Sequence, residues 1–490
     1  MKLEQAIAHM NGDSPTMSPA LSQREVTSFV IDSREVKAGD VFFALSQPEY
    51  AENGFNGDFA DSTQFAAAAL TGGAIAAVVR RDRFEEHKAS FAGYEDRLIF
   101  VEDAIASFQR LAHGVYLEWN KPVVAVTGSA GKTTAKELIA HVLSSSGRKV
   151  LRNIKNYNNG LGHPLTVLNL AADSSYDVAV LEMGMSTPLN EIARLCRITP
   201  PDVAVELNVL PVHVEHLGSI EGVAKAKAEL VEGMKAGGVA VLNADDPRVA
   251  AMSELSKGTV ITYGIDNRAD VTAENINFRG FGQTSFDLVT PSGRAAVSFP
   301  LNGKHNVLNA LAAAAVGHRF GMSVDEIANA LSTVSAPPQR GEIIRFAAGF
   351  TVINDSYNSN PDALMSMVRT LVDGASKDER KIVVAGEMLE LGNDAAEIHR
   401  RTGASIAASG VDMLVGVRGF GKELVHGAKD GGLENAVFAE DSDAAGEMLV
   451  SVLRPGDVVL VKGSRGVRTE KVIEKIIEKF KPEGSDTATA

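Results

Sequence analysis

The stretch that most constrains this chain is Val123 to Thr134, VVAVTGSAGKTT. Val123 to Val126 is a short, β-branched apolar run, which reads as a buried strand. The run leads into Thr127-Gly128-Ser129-Ala130-Gly131-Lys132-Thr133-Thr134, after which Ala135 to Ser146 carries apolar residues at helical spacing. Strand, glycine-rich turn and helix in that order make a phosphate cradle. Backbone N–H groups and the helix N-terminus face the anion, Lys132 neutralises its charge, and the Thr133 hydroxyl can hold Mg²⁺. Gly131 lets the backbone come close to phosphate. The first glycine of the general G-x-x-x-x-G-K-[ST] pattern would fall at Val126, so this loop is a shortened form. A nucleoside triphosphate is expected here, contacted by Gly128, Ser129, Ala130, Gly131, Lys132, Thr133 and Thr134. The bland alternative, a glycine turn beside a surface lysine, fits the strand-to-helix context less well.

At 490 residues the chain has room for about three domains. Its 45% hydrophobic and 22% charged residues are ordinary for a soluble globular protein. A formal net charge of −14 argues against a nucleic-acid partner and requires that any anionic ligand be met by local Lys, Arg or helix ends. Cys196 is the only cysteine, so no internal disulfide can form and a reducing compartment is expected. Met1 to Ala8 lacks the apolar core of a signal peptide, and no run of apolar residues is long enough to span a membrane. A cytoplasmic protein, acting as a monomer, is the expectation.

The pattern along the chain predicts an α/β protein of three domains. The first, residues 1–119, alternates strands at Phe29 to Ile31, Val41 to Leu45, Ala74 to Val79 and Leu98 to Val101 with helices at Phe65 to Thr71 and Ala104 to Trp119. Between its strands lies Asp32-Ser33-Arg34. Ser33 and Arg34 could bind a phosphate or a uracil edge, but spacing alone favours an Asx-type turn with an exposed arginine. Trp119 to Pro122 reads as a linker. The second domain, residues 120–336, adds strands at Asp177 to Glu182, Asp202 to Leu207, Val239 to Asn243 and Val260 to Tyr263, with helical patterns between them. That alternation predicts a central doubly wound, mostly parallel sheet. Ligands of such sheets sit beyond the carboxyl ends of strands. Glu182, Asn208 with His213, and Asn243 with Asp245 fall there. A carboxylate at Glu182 can bind Mg²⁺ or orient a water, while the alternative is a capping or solvent-facing glutamate. Asp270 to Pro300 reads as an antiparallel hairpin appended to the sheet. In the helix Lys304 to Phe320, Asn306 and Asn309 share a face, where either could hydrogen-bond adenine; capping suits Asn306 better. Ala336 to Gly341, with Pro337 and Pro338, is a second linker that a hinge could use. The third domain, residues 337–490, has strands at Lys381 to Gly386, Met413 to Val417 and Val458 to Val461, with helices at Asp362 to Val372 and Asp441 to Leu453. It is predicted to be dinucleotide-fold-like, with Lys462 and Arg465 at a strand's carboxyl end where anions bind. The tail from Pro482 is expected to be disordered.

Several motifs in fixed order carry a resemblance. They are the loop Thr127 to Thr134; Asn208-Val-Leu-Pro-Val-His213-Val-Glu215; Lys225-Ala-Lys227-Ala-Glu229; His305-Asn-Val-Leu-Asn309; Asp355-Ser-Tyr-Asn-Ser-Asn-Pro361; Gly386 to Gly392; and Lys462-Gly-Ser-Arg465. Together, from Asp32 to Glu470, they resemble the Mur ligase family. Within it they are most similar to the member that adds D-alanyl-D-alanine to a UDP-N-acetylmuramoyl-tripeptide in peptidoglycan precursor synthesis. The resemblance implies a C–N ligase using ATP and Mg²⁺, with an acyl-phosphate intermediate. It implies that Lys132 contacts the β- and γ-phosphates and that Thr133 and Glu182 hold one Mg²⁺. His213 and a carbamate on Lys227 would hold a second. Asn309 would read adenine, and Arg340 and Asp355 would reach the phosphate tail and ribose. Ser33, Arg34, Asn158, Asn159, Asn358, Asn360, Lys462 and Arg465 are the implied substrate contacts. Asn354 stands where an Asp often precedes Asp355, and Ser46 to Phe65 is longer than the usual link after the second strand. Taken singly, His213 reads as a structural histidine and Lys227 as a solvated helix-face charge; the family context reverses both. The alternatives are another Mur ligase, a ligase like folylpolyglutamate synthetase, and a nucleotide-binding regulatory module. The first domain argues against the folate enzyme, and Glu182, His213 and Lys227 argue against a mere nucleotide switch.

Overall fold

The computed structural model describes residues 1–55, 61–154, 156–185, 190–211 and 217–483. Among them, three sheets follow one another along the chain. The first is parallel throughout, in the order β1 (Phe29–Val30), β2 (Val41–Phe43), β3 (Ala76–Arg80), β4 (Leu98–Val101). Alternate side chains of a strand face opposite sides. Accordingly Val41 and Phe43 enter one core while Phe42 and Ala44 enter another. The helix Ala104–Trp119 starts at Asp103, whose carboxylate accepts from the Ala106 N–H, an N-cap that satisfies one orphan donor. Asn120, in the left-handed region at φ 47°, ends it.

That helix ties the first domain to the second. Trp119 Nε1 donates to the Tyr176 carbonyl at 3.0 Å, and His113 Nδ1 lies 2.9 Å from the Ile198 carbonyl. One continuous core runs from Leu3 through Phe108 and Trp119 to Leu181 and Leu195. The segment read as a linker at 119–122 is a short connection between that helix and β5.

The second sheet comprises β5 (Val123–Thr127), β6 (Val150–Arg152), β7 (Val178–Glu182), β8 (Val203–Glu206), β9 (Val239–Asn243), β10 (Thr259–Gly264), β11 (Val271–Phe278), β12 (Thr284–Thr290) and β13 (Gly293–Phe299). Their order is β13-β12-β11-β10-β9-β8-β5-β7-β6. Pairing is parallel from β11 to β6, and the appended hairpin β12–β13 is antiparallel to β11, as the pattern predicted. Both faces are covered, which is why its central strands are unbroken apolar runs. Val124 and Val126 face the helix Lys132–Ser145, while Val123 and Ala125 face the opposite core. β6 and β11 were not individually predicted; three residues give β6 no readable period, and β11 alternates only partly and bulges between Glu274 and Asn277.

The third sheet comprises β14 (Glu342–Phe346), β15 (Phe350–Asp355), β16 (Arg380–Gly386), β17 (Met413–Val417), β18 (Ala436–Ala439) and β19 (Asp457–Lys462), in the order β14-β15-β19-β16-β17-β18. Only β14 is antiparallel to its neighbour. Among the described residues it meets the second domain at Phe281 and at His305. Phe281, at the turn between β11 and β12, is buried in the third domain's core, and Arg345 donates to its carbonyl at 2.8 Å. His305 Nδ1 lies 3.2 Å from Ser366 Oγ. The start of the tail expected to be disordered is placed, because Pro482 bridges Phe346 and the Glu483 N–H donates to the Arg345 carbonyl; residues 484–490 lie outside the described ones. No helix among the described residues is long and apolar enough to cross a membrane.

Candidate active site

The site grows from the carboxyl end of β5. Its last residues pair with Glu182 of β7 on one side and with Glu206 of β8 on the other, Val126 opposite Glu182 and Thr127 opposite Glu206. Strand alternation sends these two carboxylates to different faces. Glu182 continues the face of Val178 and Val180, which the helix Lys132–Ser145 covers. Glu206 continues the face of Ala204, which the helix Ile220–Glu232 covers.

The loop between β5 and its helix is held from behind. Asn208 accepts from the Ala130 N–H at 2.8 Å through Oδ1 and donates to the Ala130 carbonyl at 3.0 Å through Nδ2. Ser129 Oγ donates to the Leu210 carbonyl and accepts from the Leu210 N–H. Gly131 caps the helix with φ 84°, and a Cβ there would stand 2.9 Å from Asn309 Oδ1; both facts require glycine. Lys132 Nζ donates to the Gly128 carbonyl at 2.8 Å, which keeps the ammonium at the loop. Although Lys132 is only partly covered, the protein mass around it pushes its pKa below the usual lysine range, against the pull of Glu182.

Across the loop, Thr133 Oγ1 donates to Glu182 Oε2 at 2.7 Å, and Asn158 Nδ2 donates to Glu182 Oε1 at 2.7 Å. On the other face sit Glu206 and Lys227, respectively 0% and 2% exposed. Neither Glu206 oxygen has a hydrogen-bond partner among the described residues. Burial raises the Glu206 pKa well above the carboxylate range, opposed by Lys227 and Lys132 and reinforced by Asp246. Burial, then repulsion from Lys132, lowers the Lys227 pKa to about 7, while Glu206 pulls the other way. The buried position of Lys227 corrects the single-residue reading of a solvated helix-face charge. His213 lies outside the described residues, and no group of three His, Cys, Asp or Glu fit to hold a metal is found among the described ones.

In the third domain, Arg340 and Arg465 both approach the ring of Tyr357, at 4.1 and 5.5 Å from its centroid. Two guanidinium groups around one ring hold positive charge available for an anion. Lys462 Nζ pairs with Asp355 and donates to the Asn358 carbonyl. Arg340 is near enough to Lys132 to act on its charge, so the phosphate loop and the start of the third domain share one electrostatic environment.

Other predicted residues have local work. Asn360 Oδ1 accepts from the Ala363 N–H at 2.8 Å and caps the helix Pro361–Gly374. Asn358 Oδ1 accepts from the Ser359 N–H, and Asn159 Oδ1 from the Leu161 and Gly162 N–H groups. Asn243 donates to the Leu207 carbonyl, and Asp245 takes the N–H groups of Ile265, Asp266 and Asn267. Asn309 stands behind Gly131, and Asn306 donates to the Asn302 carbonyl. In the first domain Arg34 grips Asp32 through two hydrogen bonds, at 2.9 and 2.6 Å, and Ser33 opens the short turn that Asp32 caps. This is the Asx-type turn that spacing favoured. A cavity of about 450 Å³ lies between the helix Lys132–Ser145, at Thr134, Leu138 and His141, and the segment from Val334 to Pro338.

Glu206 is absent from the residues the sequence singles out, although DVAVELNVL interrupts an apolar strand with a carboxylate much as DVAVLEMGM does at Glu182. So are Lys136 and Asn153, whose contacts are long-range.

Comparison with known proteins places the chain among relatives. The family model for the Mur ligase middle domain matches residues 126–317, and that for the Mur ligase glutamate ligase domain matches residues 339–465. The chain is 34% identical to a UDP-N-acetylmuramoyl-tripeptide–D-alanyl-D-alanine ligase of Mycobacterium tuberculosis, over 93% of each chain. Its fold is similar to crystal structures of MurF from Acinetobacter baumannii (TM-score 0.83, 27% identity, covering 98% of this chain and 99% of the other) and of MurF ligase from Thermotoga maritima in complex with ADP (TM-score 0.79, 28% identity, covering 94% and 99%).

Proposed function

The chain belongs to the Mur ligase family, and from that premise we propose that it is the ATP-dependent ligase joining D-alanyl-D-alanine to the tripeptide of a UDP-N-acetylmuramoyl-tripeptide in the cytoplasm. The observation that carries this reading is the bond between Thr133 of the phosphate loop and Glu182 on the neighbouring strand. It places a hydroxyl and a carboxylate together at the mouth of an anion cradle.

The reaction activates a carboxylate that would not otherwise accept an amine. The γ-phosphoryl group of ATP passes to the tripeptide's terminal carboxylate, giving an acyl phosphate. The free amine of D-alanyl-D-alanine attacks the acyl carbon, and the tetrahedral intermediate expels phosphate while the new nitrogen loses its proton. Little covalent help is needed, so the protein contributes position and charge. The loop N–H groups and Lys132 hold the β- and γ-phosphates. Arg340, beside Tyr357, meets the phosphate tail from the third domain, and Asp355 faces the ribose. The cavity between the loop helix and Val334 to Pro338 has room for the nucleoside, with Asn309 on the loop's inner side. Lys462, Arg465, Asn158, Asn159, Asn358 and Asn360 border the muramoyl peptide, and Ser33 and Arg34 its uridine end.

The oxygen donors of Thr133 and Glu182 suit a hard cation, so these residues would hold Mg²⁺, which supplies charge neutralisation for the transferred phosphoryl group. Lys227 and His213 would serve a second ion. A buried amine whose pKa is lowered to about 7 is often neutral, as carbamate formation requires.

The test is phosphate release from ATP with each acceptor present alone and then both. Release that requires the muramoyl tripeptide and D-alanyl-D-alanine together supports the reading. Equal release with a different amine, or with none, excludes it.

A further inference from the structure

Glu182 is held by more than its own strand. β6 ends at Arg152, which pairs with Val180, and the ladder with β7 would otherwise stop two residues short of Glu182. The side chain of Asn153 carries it on. Its Oδ1 accepts from the Glu182 N–H at 3.0 Å, and its Nδ2 donates to the Glu182 carbonyl at 2.9 Å. An amide is the side chain that can satisfy a backbone donor and acceptor at once. Nδ2 also donates to the Tyr157 carbonyl at 2.9 Å, which fixes the turn presenting Asn158 to Glu182 Oε1.

Asn153 is in turn bolted to the phosphate-loop helix. Lys136, one turn beyond Lys132, is 1% exposed, and its Nζ donates to the Asn153 carbonyl at 2.6 Å. Its charge is balanced by Glu137 at 2.9 Å, which also pairs with Arg152 at 2.8 Å. A buried lysine is costly unless paired and bonded, and this one is both, with Glu137 for its charge and the Asn153 carbonyl for its hydrogen bond. Thr133 and Lys136 belong to the same helix, so that helix registers Glu182 twice. The contact is direct through the Thr133 hydroxyl and indirect through Lys136 and Asn153.

We propose that Asn153, held by Lys136, is the positioning residue that sets the Glu182 carboxylate toward the cation shared with Thr133. This inference rests on the metal role of Glu182 proposed above. Neither Asn153 nor Lys136 touches the reacting atoms. Loss of the brace lets the end of β7 and the Asn158 turn drift, and a hydroxyl–carboxylate pair that is loosely set binds a hard cation less well.

The experiment uses the full-length Asn153→Ser and Lys136→Met variants with Glu182→Gln as reference, at a temperature where each keeps the wild-type circular dichroism. Mn²⁺ binding in the presence of a non-hydrolysable ATP analogue is read by electron paramagnetic resonance. Mg²⁺ dependence of turnover is measured in parallel. The expected result is an Mn²⁺ dissociation constant at least fivefold higher in either brace variant, with kcat largely restored at saturating Mg²⁺. An unchanged Mn²⁺ dissociation constant in both, even with a lowered melting temperature, reduces Asn153 and Lys136 to structural residues and overturns the inference. If Glu182→Gln also leaves Mn²⁺ binding unchanged, it is the assignment of Glu182 that fails. A shift in Glu182→Gln alone leaves that assignment standing and removes only the brace.

Discussion

Two regions near the carboxyl ends of parallel strands, a turn after β1 and the buried face beside β5, carry charge in opposite ways. After β1, Asp32 and Arg34 satisfy each other through two hydrogen bonds, with the arginine side chain 87% exposed. That pairing pulls the Asp32 pKa down to about 2. Around β5, Glu206 and Lys227 are buried, and the Glu206 oxygens have no hydrogen-bond partner among the described residues. The turn is complete in itself, and an exposed pair of this kind adds little stability. The buried face holds charge that burial penalises and that its neighbours only partly offset. A chain gains nothing in stability from such an arrangement, which is of the kind found where a ligand completes a site.

The sharpest break in this contrast comes at Lys132. Lys132→Ala is expected to lower turnover at least about a thousandfold, because the lost charge faces the transferred phosphate. Stability should hardly change, since alanine is favoured at a helix start. Steady-state kinetics with a thermal melt checks both; a folded variant with near-normal ligation would mean that the cradle does not carry the reaction.

Next in size is Lys227. Lys227→Ala should be nearly inactive and partly restored by formate or acetate, which can enter the vacated space and supply the oxygens of a carbamate. Full activity of this variant in buffer stripped of carbon dioxide would return Lys227 to a structural role.

The same residue should also make stability depend on pH. Its folded pKa, about 7, lies below the ordinary value of 10.5, so between these limits the folded protein binds fewer protons than the unfolded chain. Stability from this group therefore rises with pH across the window from about 7 to 10.5, and the burial penalty is fully present below it. Wild type should gain stability relative to Lys227→Met as pH is raised from 7 toward 10, measured by denaturant unfolding at each pH. A constant difference between the two proteins would contradict the buried, neutral amine.

Arg34 carries the smallest effect. Arg34→Ala should leave the melting temperature unchanged, because the side chain is exposed and, among the described residues, bonds only to the Asp32 carboxylate. The uridine contact proposed for Arg34 predicts a rise in KM for the uridine-linked substrate without a change in kcat, which would soften the contrast between the two regions; an unchanged KM would remove Arg34 from the substrate site.

Much of this organisation is legible in the chain. VVAVTGSAGKTT announces strand, cradle and helix, because one face of the strand and one face of the helix must meet across a turn with room for phosphate. The hairpin β12–β13 is visible because its alternation changes period. The misses have physical causes. β6 and β18 are too short to show a period. Asn153 and Lys136 act on residues 29 and 17 positions away, and no local pattern encodes those contacts. Asn360 shows the converse. Its neighbour Pro361 and the helix behind it mark an N-cap, and that local role is what its side chain performs.

Activation of the tripeptide as an acyl phosphate requires that one of its carboxylate oxygens leave with phosphate. A muramoyl tripeptide labelled with ¹⁸O in its terminal carboxylate is turned over with ATP and D-alanyl-D-alanine, and the released phosphate is examined by mass spectrometry. An acyl phosphate formed at this site predicts one ¹⁸O atom transferred to each phosphate. Unlabelled phosphate released in step with amide formation would contradict activation of the carboxylate by phosphoryl transfer.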